Sequence, residues 1–390
     1  MNEAALHRVS RIQVVALGIG VVASVATVFG AFTNATQFFY SYLFGFLFWL
    51  GLSMGCFAVS SIHQLTGGRW GWSTRRFLEA GYLVLPLMLV LFVPIFFGLH
   101  HLYPWANPRD VSGENVLHER HPYENSLWFI VRQIVFLLVF IFMSVRMRIW
   151  SIRQDTTIDA TPTRRARFIS GPGLVVYGLL GTFASIDWIM SLEPHWYSTM
   201  FGVIVLIGQI LTAYAFSIIM ITVFKDEPSV RAVLNKTQYH QLGNLLLAFV
   251  LFWTYVSFGE FLIIYSGDLP HELEWYLHRI AGNWKFVLVA VAVFHFFVPF
   301  FLLLFRAVKK HATPLTTLAA MIFILHIVHT YWLVMPAFHH DNLKVSWMDF
   351  TAPLAIGGLW FAFFLARLKS APLIPRQDPG LQFAFVYVES

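Results

Sequence analysis

The sequence is poor in charge: Asp, Glu, Lys and Arg make up 12% of its 390 residues, about half the share of a typical soluble domain. With 58% hydrophobic residues and a mean hydropathy of +0.66, that scarcity excludes an ordinary water-soluble globule. Cysteine is scarcer still. The single thiol, Cys56, rules out a cysteine-ligated iron–sulfur cluster, a paired c-type haem attachment motif and an internal disulfide in this sequence. No glycine-rich phosphate loop follows a strand pattern, so an ATP-driven pump within this chain is not expected. Any metal-based redox centre would have to reside on partner chains.

What is abundant is apolar length. A bilayer core is crossed by about 20 mostly apolar residues, and ten such runs occupy 12–32, 38–62, 77–99, 127–147, 170–190, 198–223, 240–265, 284–305, 314–338 and 349–367. The first has no small-residue cleavage site after it and reads as a helix, not a signal peptide. The runs are too long for barrel strands, and a helix satisfies its own backbone in lipid. The expected fold is therefore an all-α integral membrane protein of ten transmembrane helices over 1–369, with 370–390 as a C-terminal tail. Segment 100–126 is the longest connection on the outer side, and 150–168 is a basic inner loop.

Orientation follows from the tendency of Lys and Arg to collect in cytoplasmic loops. Of the 26 basic residues, 20 fall on the side shared by both termini, from Arg8 and Arg11 through Arg164, Arg165 and Arg167 to Arg367, Lys369 and Arg376. The other side keeps Arg109, Arg120, Arg132, Arg279, Lys285 and Lys344, beside Asp110, Glu114, Glu119, Glu124, Asp268, Glu272 and Glu274. Both termini are expected in the cytoplasm. The pI of about 9.4 then reflects loops facing anionic lipid headgroups, and no nucleic-acid partner is implied.

The chemistry has to come from ionisable groups in apolar runs, where a charge costs roughly 2.5–3.5 kcal/mol at the helix centre. Counting about 1.5 Å per residue, Asp187 and Glu260 fall toward the outer surface, His295, His326 and His329 near mid-depth, and Glu79 near the inner boundary with His63 and Asp226. His326 and His329 share a helix face, as do Ser257 and Glu260. Such a ladder suits proton transfer, since an imidazole accepts a proton on one nitrogen while releasing one from the other. The competing reading is that each group is hydrogen-bonded to a neighbouring helix or reaches the interface.

A second polar group gathers at the outer boundary. It comprises His100, His101, Arg132, Asp187, Glu193, His195, His339, His340, Asp341 and Asp349. A quinol gives up two protons with its two electrons, so acceptors beside an apolar slot would serve its oxidation. His100, His101, Arg132, Asp187 and Glu193 are the candidates for such a site. The tryptophans and tyrosines around them, Trp105, Trp188, Trp196 and Trp347 among them, suit the aromatic belt of a membrane interface. The first helix and its outer loop offer Asn34 and Gln37 but no charge, which disfavours a quinol site built there.

Three segments carry a resemblance. The turn Asp187-Trp188-Ile-Met-Ser-Leu-Glu-Pro-His-Trp-Tyr-Ser-Thr199, the sequence His339-His340-Asp341 and the tail Pro372-Leu-Ile-Pro-Arg-Gln-Asp-Pro-Gly380 resemble the F membrane subunit of bacterial alternative complex III, a quinol:cytochrome c oxidoreductase. That subunit is itself similar to the membrane anchor of polysulfide reductase. The resemblance covers essentially the whole chain; the Asp-Trp turn is its most specific part, and the tail motif is shared with the sister membrane subunit. It implies ten helices, eight of them in two four-helix bundles, in a bacterial inner membrane. It also implies no metal or haem in this chain, with haem c and iron–sulfur clusters on partners: an iron–sulfur subunit, multihaem cytochromes c and a homologous membrane subunit. The family gives its better-supported quinol site to that sister subunit and a proton-conducting or coupling role to this one.

Three readings of function follow. The preferred one is a cofactor-free subunit of a respiratory quinol oxidoreductase that supports assembly and translocates protons, with quinol binding possible and no catalysis by the chain alone. The others are a stand-alone proton or ion transporter, and a cytochrome b with His295 opposite His326 or His329 as haem ligands.

Overall fold

The computed structural model describes residues 1, 3–113 and 115–378, without the side chains at 4, 109, 110, 113 and 271. Asn2, Glu114 and 379–390, which include Gly380 of the tail motif, lie outside the described residues. Among the described residues there is no strand. The long elements are α1 (Glu3–Thr33), α2 (Ala35–Thr66), α3 (Arg69–Leu91), α4 (Val93–Leu102), α5 (Ser126–Gln154), α6 (Thr161–Trp188), α7 (Phe201–Val223) and α8 (Lys236–Gly267). A short amphipathic α9 (Pro270–Ile280) precedes α10 (Trp284–Leu304), α11 (Ala312–Val334) and α12 (Met348–Lys369).

Among the described residues nine helices are long and apolar enough to cross a membrane, and α3 with α4 would make a tenth. The protein is thus an all-α, multi-pass membrane protein. The run expected at 77–99 is not one straight helix: α3 and α4 meet at a 61° bend. Pro86 and Pro94 open the two helical segments around it, and each lacks the N–H that would continue the ladder from the preceding turn. One carbonyl at the break, that of Leu91, accepts instead from the Tyr42 hydroxyl at 2.7 Å. Helix starts are marked in the sequence: Asn34, Asn125 and Asn235 accept from the backbone N–H of Gln37, Trp128 and Gln238 at 2.9–3.0 Å, satisfying donors that a first helical turn leaves unpaired.

The centre of the fold is α2, whose most apolar window is 94% buried, packed against α7 at 83%. They come unusually close at Gly55, where a Cβ would stand 2.1 Å from the Gln209 carbonyl oxygen. On one side α2 packs with α3 and α6, and α5 packs against those two; on the other, α7 packs with α8 and α11, and α10 packs against that pair. α1 and α12 form a separate pair against α2, with Gly20 and Gly358 backbone to backbone, as small residues permit in apolar helix pairs. The Lys369 ammonium donates to Ser10 Oγ at 3.1 Å, so the start of α1 and the end of α12 lie on one face, called here the termini side.

Candidate functional site

α10 changes its pitch where His295 sits. Residues Ala292–Phe297 form a π-helical turn, directly before Pro299, which has no N–H for the His295 carbonyl and crowds it. Single π turns of this kind aim side chains that a regular helix would direct elsewhere. His295 meets His326 and His329, one turn apart on α11, with ring centroids 5.5 and 6.1 Å away. The two α11 rings lie 5.3 Å from each other. Trp253 of α8 closes the group, edge-on to His295 at 4.4 Å and to His329 at 5.1 Å. All three histidines are buried.

These groups are short of partners. Both ring nitrogens of His295, Nδ1 of His326 and of His329, and Nε1 of Trp253 are buried without a protein hydrogen bond. Leaving such an atom unsatisfied costs about 1–3 kcal/mol, and four neighbouring side chains doing so mid-membrane calls for a physical reason. A cavity of about 40 Å³ adjoins His326 and His329 between α2, α6, α7 and α11. It is lined also by Gln209, Thr212, Ser185, Trp188 and Thr330 and has room for roughly three waters. The Tyr177 hydroxyl donates to Gln209 Oε1 at 3.0 Å.

Glu260 continues the polar face of α8 toward the opposite side. Ser257 lies four residues beyond Trp253 and Glu260 three beyond Ser257, so the three share one stripe, and about 10 Å of helix rise separates Trp253 from Glu260. Glu260 is buried. Its Oε2 accepts from the Tyr276 hydroxyl of α9 at 3.4 Å, while Oε1 and the Ser257 hydroxyl have no protein partner.

The other carboxylates of the expected ladder stand apart. Asp187, at the end of α6, is held by Arg132 through Nε and Nη2 at 3.0 and 3.1 Å and by the Gln133 amide at 2.5 Å; Arg132 in turn stacks on Tyr123 at 3.8 Å. Glu79 is enclosed by Arg75, Arg76 and Arg148 at 3.0, 2.7 and 2.5 Å and by the Ser151 hydroxyl. Asp155 and Asp378 pair with Arg76 and Arg75 at 2.5 Å, which ties the described part of the tail to α3 and α5. This is an ion network on the termini side in which His295, His326 and His329 take no part. No family model matches this sequence. No curated protein matches it either.

The residues expected to surround a quinol divide among three places. Arg132 and Asp187 pair with each other. His100 and His101 are exposed at the end of α4, His101 stacking on Phe39 at 5.2 Å and contacting Thr36 at 3.2 Å. Glu193 belongs elsewhere, with Arg279 at 2.7 Å and His278 Nδ1 at 2.8 Å. Burial pushes the Glu193 carboxyl up, but the Arg279 guanidinium and the His278 bond outweigh it and hold the group below the usual range. Sequence reasoning missed Trp253, Gln133, Arg279 and His278. Trp253 was detectable, since it precedes Ser257 and Glu260 at helical spacing; the cross-helix partners left no local signal.

Proposed function

We propose that this chain is a cofactor-free membrane subunit of a bacterial quinol:cytochrome c, or other acceptor, oxidoreductase, in which it carries protons and supports assembly. The observation that carries the reading is the cluster of His295, His326, His329 and Trp253, buried at mid-span with unpaired nitrogens and linked along α8 to Glu260. Neutral imidazoles at this spacing relay protons through intervening water, and the cavity beside them can hold it. Ser257, Glu260 and Tyr276 extend the polar path to the side opposite the termini. On the termini side, α7 and α11 bury Leu211, Ile218, Leu315 and Ile322, with the Thr316 hydroxyl donating to Thr222 Oγ1 at 2.9 Å as a polar contact between them. The titratable path reaches the side opposite the termini, and in this reading completing the transfer requires a conformational change or a partner helix.

In this reading the bent pair α3–α4 is one span, giving ten spans, and the basic termini side faces the cytoplasm. The resemblance supplies the setting: an inner membrane, an iron–sulfur subunit, multihaem cytochromes c and a homologous membrane subunit. The mostly exposed apolar faces of α1, α5, α8 and α10 suit lipid and such partners. A haem between the histidines fits poorly, because the Trp253 indole fills the space against His295 and His329 and the adjacent cavity is water-sized.

The test is Glu260→Gln in the intact complex reconstituted into vesicles, reading proton release per quinol oxidised. Coupling should fall at least severalfold while assembly and quinol oxidation by uncoupled vesicles persist. Unchanged coupling would remove Glu260 from the path. Transport by the purified chain alone, with no cytochrome copurifying, would favour the stand-alone transporter.

A further inference from the structure

Two of the segments singled out in the sequence, the Glu193-Pro-His195 turn and His339-His340-Asp341, come together on the side opposite the termini, where the proton path makes no use of them. Between them stands α9, carrying His278. Glu193 Oε1 lies 2.8 Å from His278 Nδ1, the rings of His278 and His340 are 4.2 Å apart, and one donor atom from each of the three residues lies within 4.8 Å of the others. They border an outer cavity of about 270 Å³.

We propose that Glu193, His278 and His340 form a binding site for one divalent transition-metal ion, zinc by its chemistry. Two imidazoles and a carboxylate are a zinc donor set, and an open fourth position suits water; Glu274, one turn before His278, lies 4.0 Å from Nε2, on the side of the ring nitrogen that faces away from Glu193. Tetrahedral coordination at about 2.0–2.1 Å brings donors to roughly 3.4 Å from one another. The closure asked of the site is thus of the order of 1 Å, and the exposed His340 ring can supply it. On binding, the ion replaces the hydrogen bond between Glu193 Oε1 and His278 Nδ1, and the neutral imidazole that coordinates through Nδ1 carries its proton on Nε2.

The surroundings are built rather than incidental. Arg279 is buried, with 1% of its surface exposed. It stacks on Trp275 at 3.6 Å and donates to the Leu333 carbonyl at 2.8 Å, and from there fixes Glu193 Oε2 at 2.7 Å, leaving Oε1 directed at His278. Such outer contacts orient a metal-binding carboxylate. The loop bearing His340 is pressed on the turn before α10: Gly282 has φ +49°, and a Cβ there would lie 2.4 Å from the Asp341 carbonyl oxygen. The ion would clamp the α6–α7 turn, α9 and the α11–α12 loop to one another. The inference does not depend on the proton-transfer reading.

The experiment uses full-length protein in detergent, stripped with a chelator and then exposed to Zn²⁺ or Co²⁺. We expect one zinc retained per chain after desalting, and intense visible d–d bands of low-symmetry, four-coordinate Co²⁺. His340→Ala, on an exposed side chain that bears no load in the core, should weaken binding at least 100-fold with an unchanged melting temperature, and His278→Ala should do the same. Absence of retained zinc, octahedral-only Co²⁺ spectra, or wild-type affinity in His340→Ala would each overturn the proposal.

Discussion

Replacing Glu79 by Gln tests whether this carboxylate is a structural counter-ion or a proton carrier. In the native network three guanidiniums and three carboxylates balance, and the side chains of Arg75, Arg76 and Glu79 are 1–2% exposed. Gln keeps the shape but removes the one negative charge shared by all three arginines. Taking away a partner from a buried ion pair costs about 3–5 kcal/mol, since the remaining charge is left uncompensated. With three cations converging on Glu79 the upper part of that range is expected. Asp378→Asn should cost less, about 1.5–3 kcal/mol, because Arg75 retains Glu79. The two residues share Arg75, so the double variant should depart from additivity by about 0.5–3 kcal/mol. The assay is thermal or chemical unfolding in detergent, followed in parallel by proton release in vesicles. Glu79→Gln that unfolds like the wild type but loses proton coupling would refute the structural assignment and return Glu79 to the proton path.

Two further outcomes are expected. Glu124, in the loop before α5, has its carboxyl pushed up to about 7 by burial and by Asp187, against the opposing pull of Arg120. The folded state therefore holds a proton that the unfolded chain has lost, and stability should fall as pH rises from about 4.5 to 7, by at most about 3 kcal/mol; Glu124→Gln should flatten the melting profile and raise the midpoint at pH 8, and a pH-independent difference between the two would count against it. At the α1–α12 crossing, Gly358→Leu must displace backbone, as an added Cβ stands 2.5 Å from Gly20 Cα, and should lower stability by about 1–3 kcal/mol. Gly18→Leu, with open space around it, is the control and should be neutral.

Most of the helices were legible because lipid enforces them: a run of about 20 apolar residues has few alternatives to a spanning helix. The exceptions are local. Pro86 and Pro94 were visible as breakers, yet the 61° bend depends on how both segments pack on α2, where the Tyr42 hydroxyl donates to the Leu91 carbonyl. Likewise Pro299 was visible, but the π turn that brings His295 to α11 is a response of the whole bundle to it. The convergence of His295 with His326 and His329 could be anticipated in depth and not in azimuth, because helix rotation is set by contacts such as Gly55 on Gln209.

The carboxylates show where a finer reading of the sequence was available. Glu79 and Glu260 look alike as acids within apolar runs, and depth alone places both on one ladder. Their own helices distinguish them. Arg75 and Arg76 precede Glu79 by four and three residues, the spacing at which opposite charges meet on a helix face, and the sequence thus already held two of its three counter-ions. From 256 to 264 no basic residue accompanies Glu260, and its carboxyl has the hydroxyls of Tyr276 and Ser198 as neighbours. Asp187 has no basic neighbour in its own helix either, yet Arg132 neutralises it from α5. A lone acid in an apolar run is therefore a candidate proton carrier only where the packing adds no cation: among the described side chains none pairs with Glu260, whereas Arg132 pairs with Asp187.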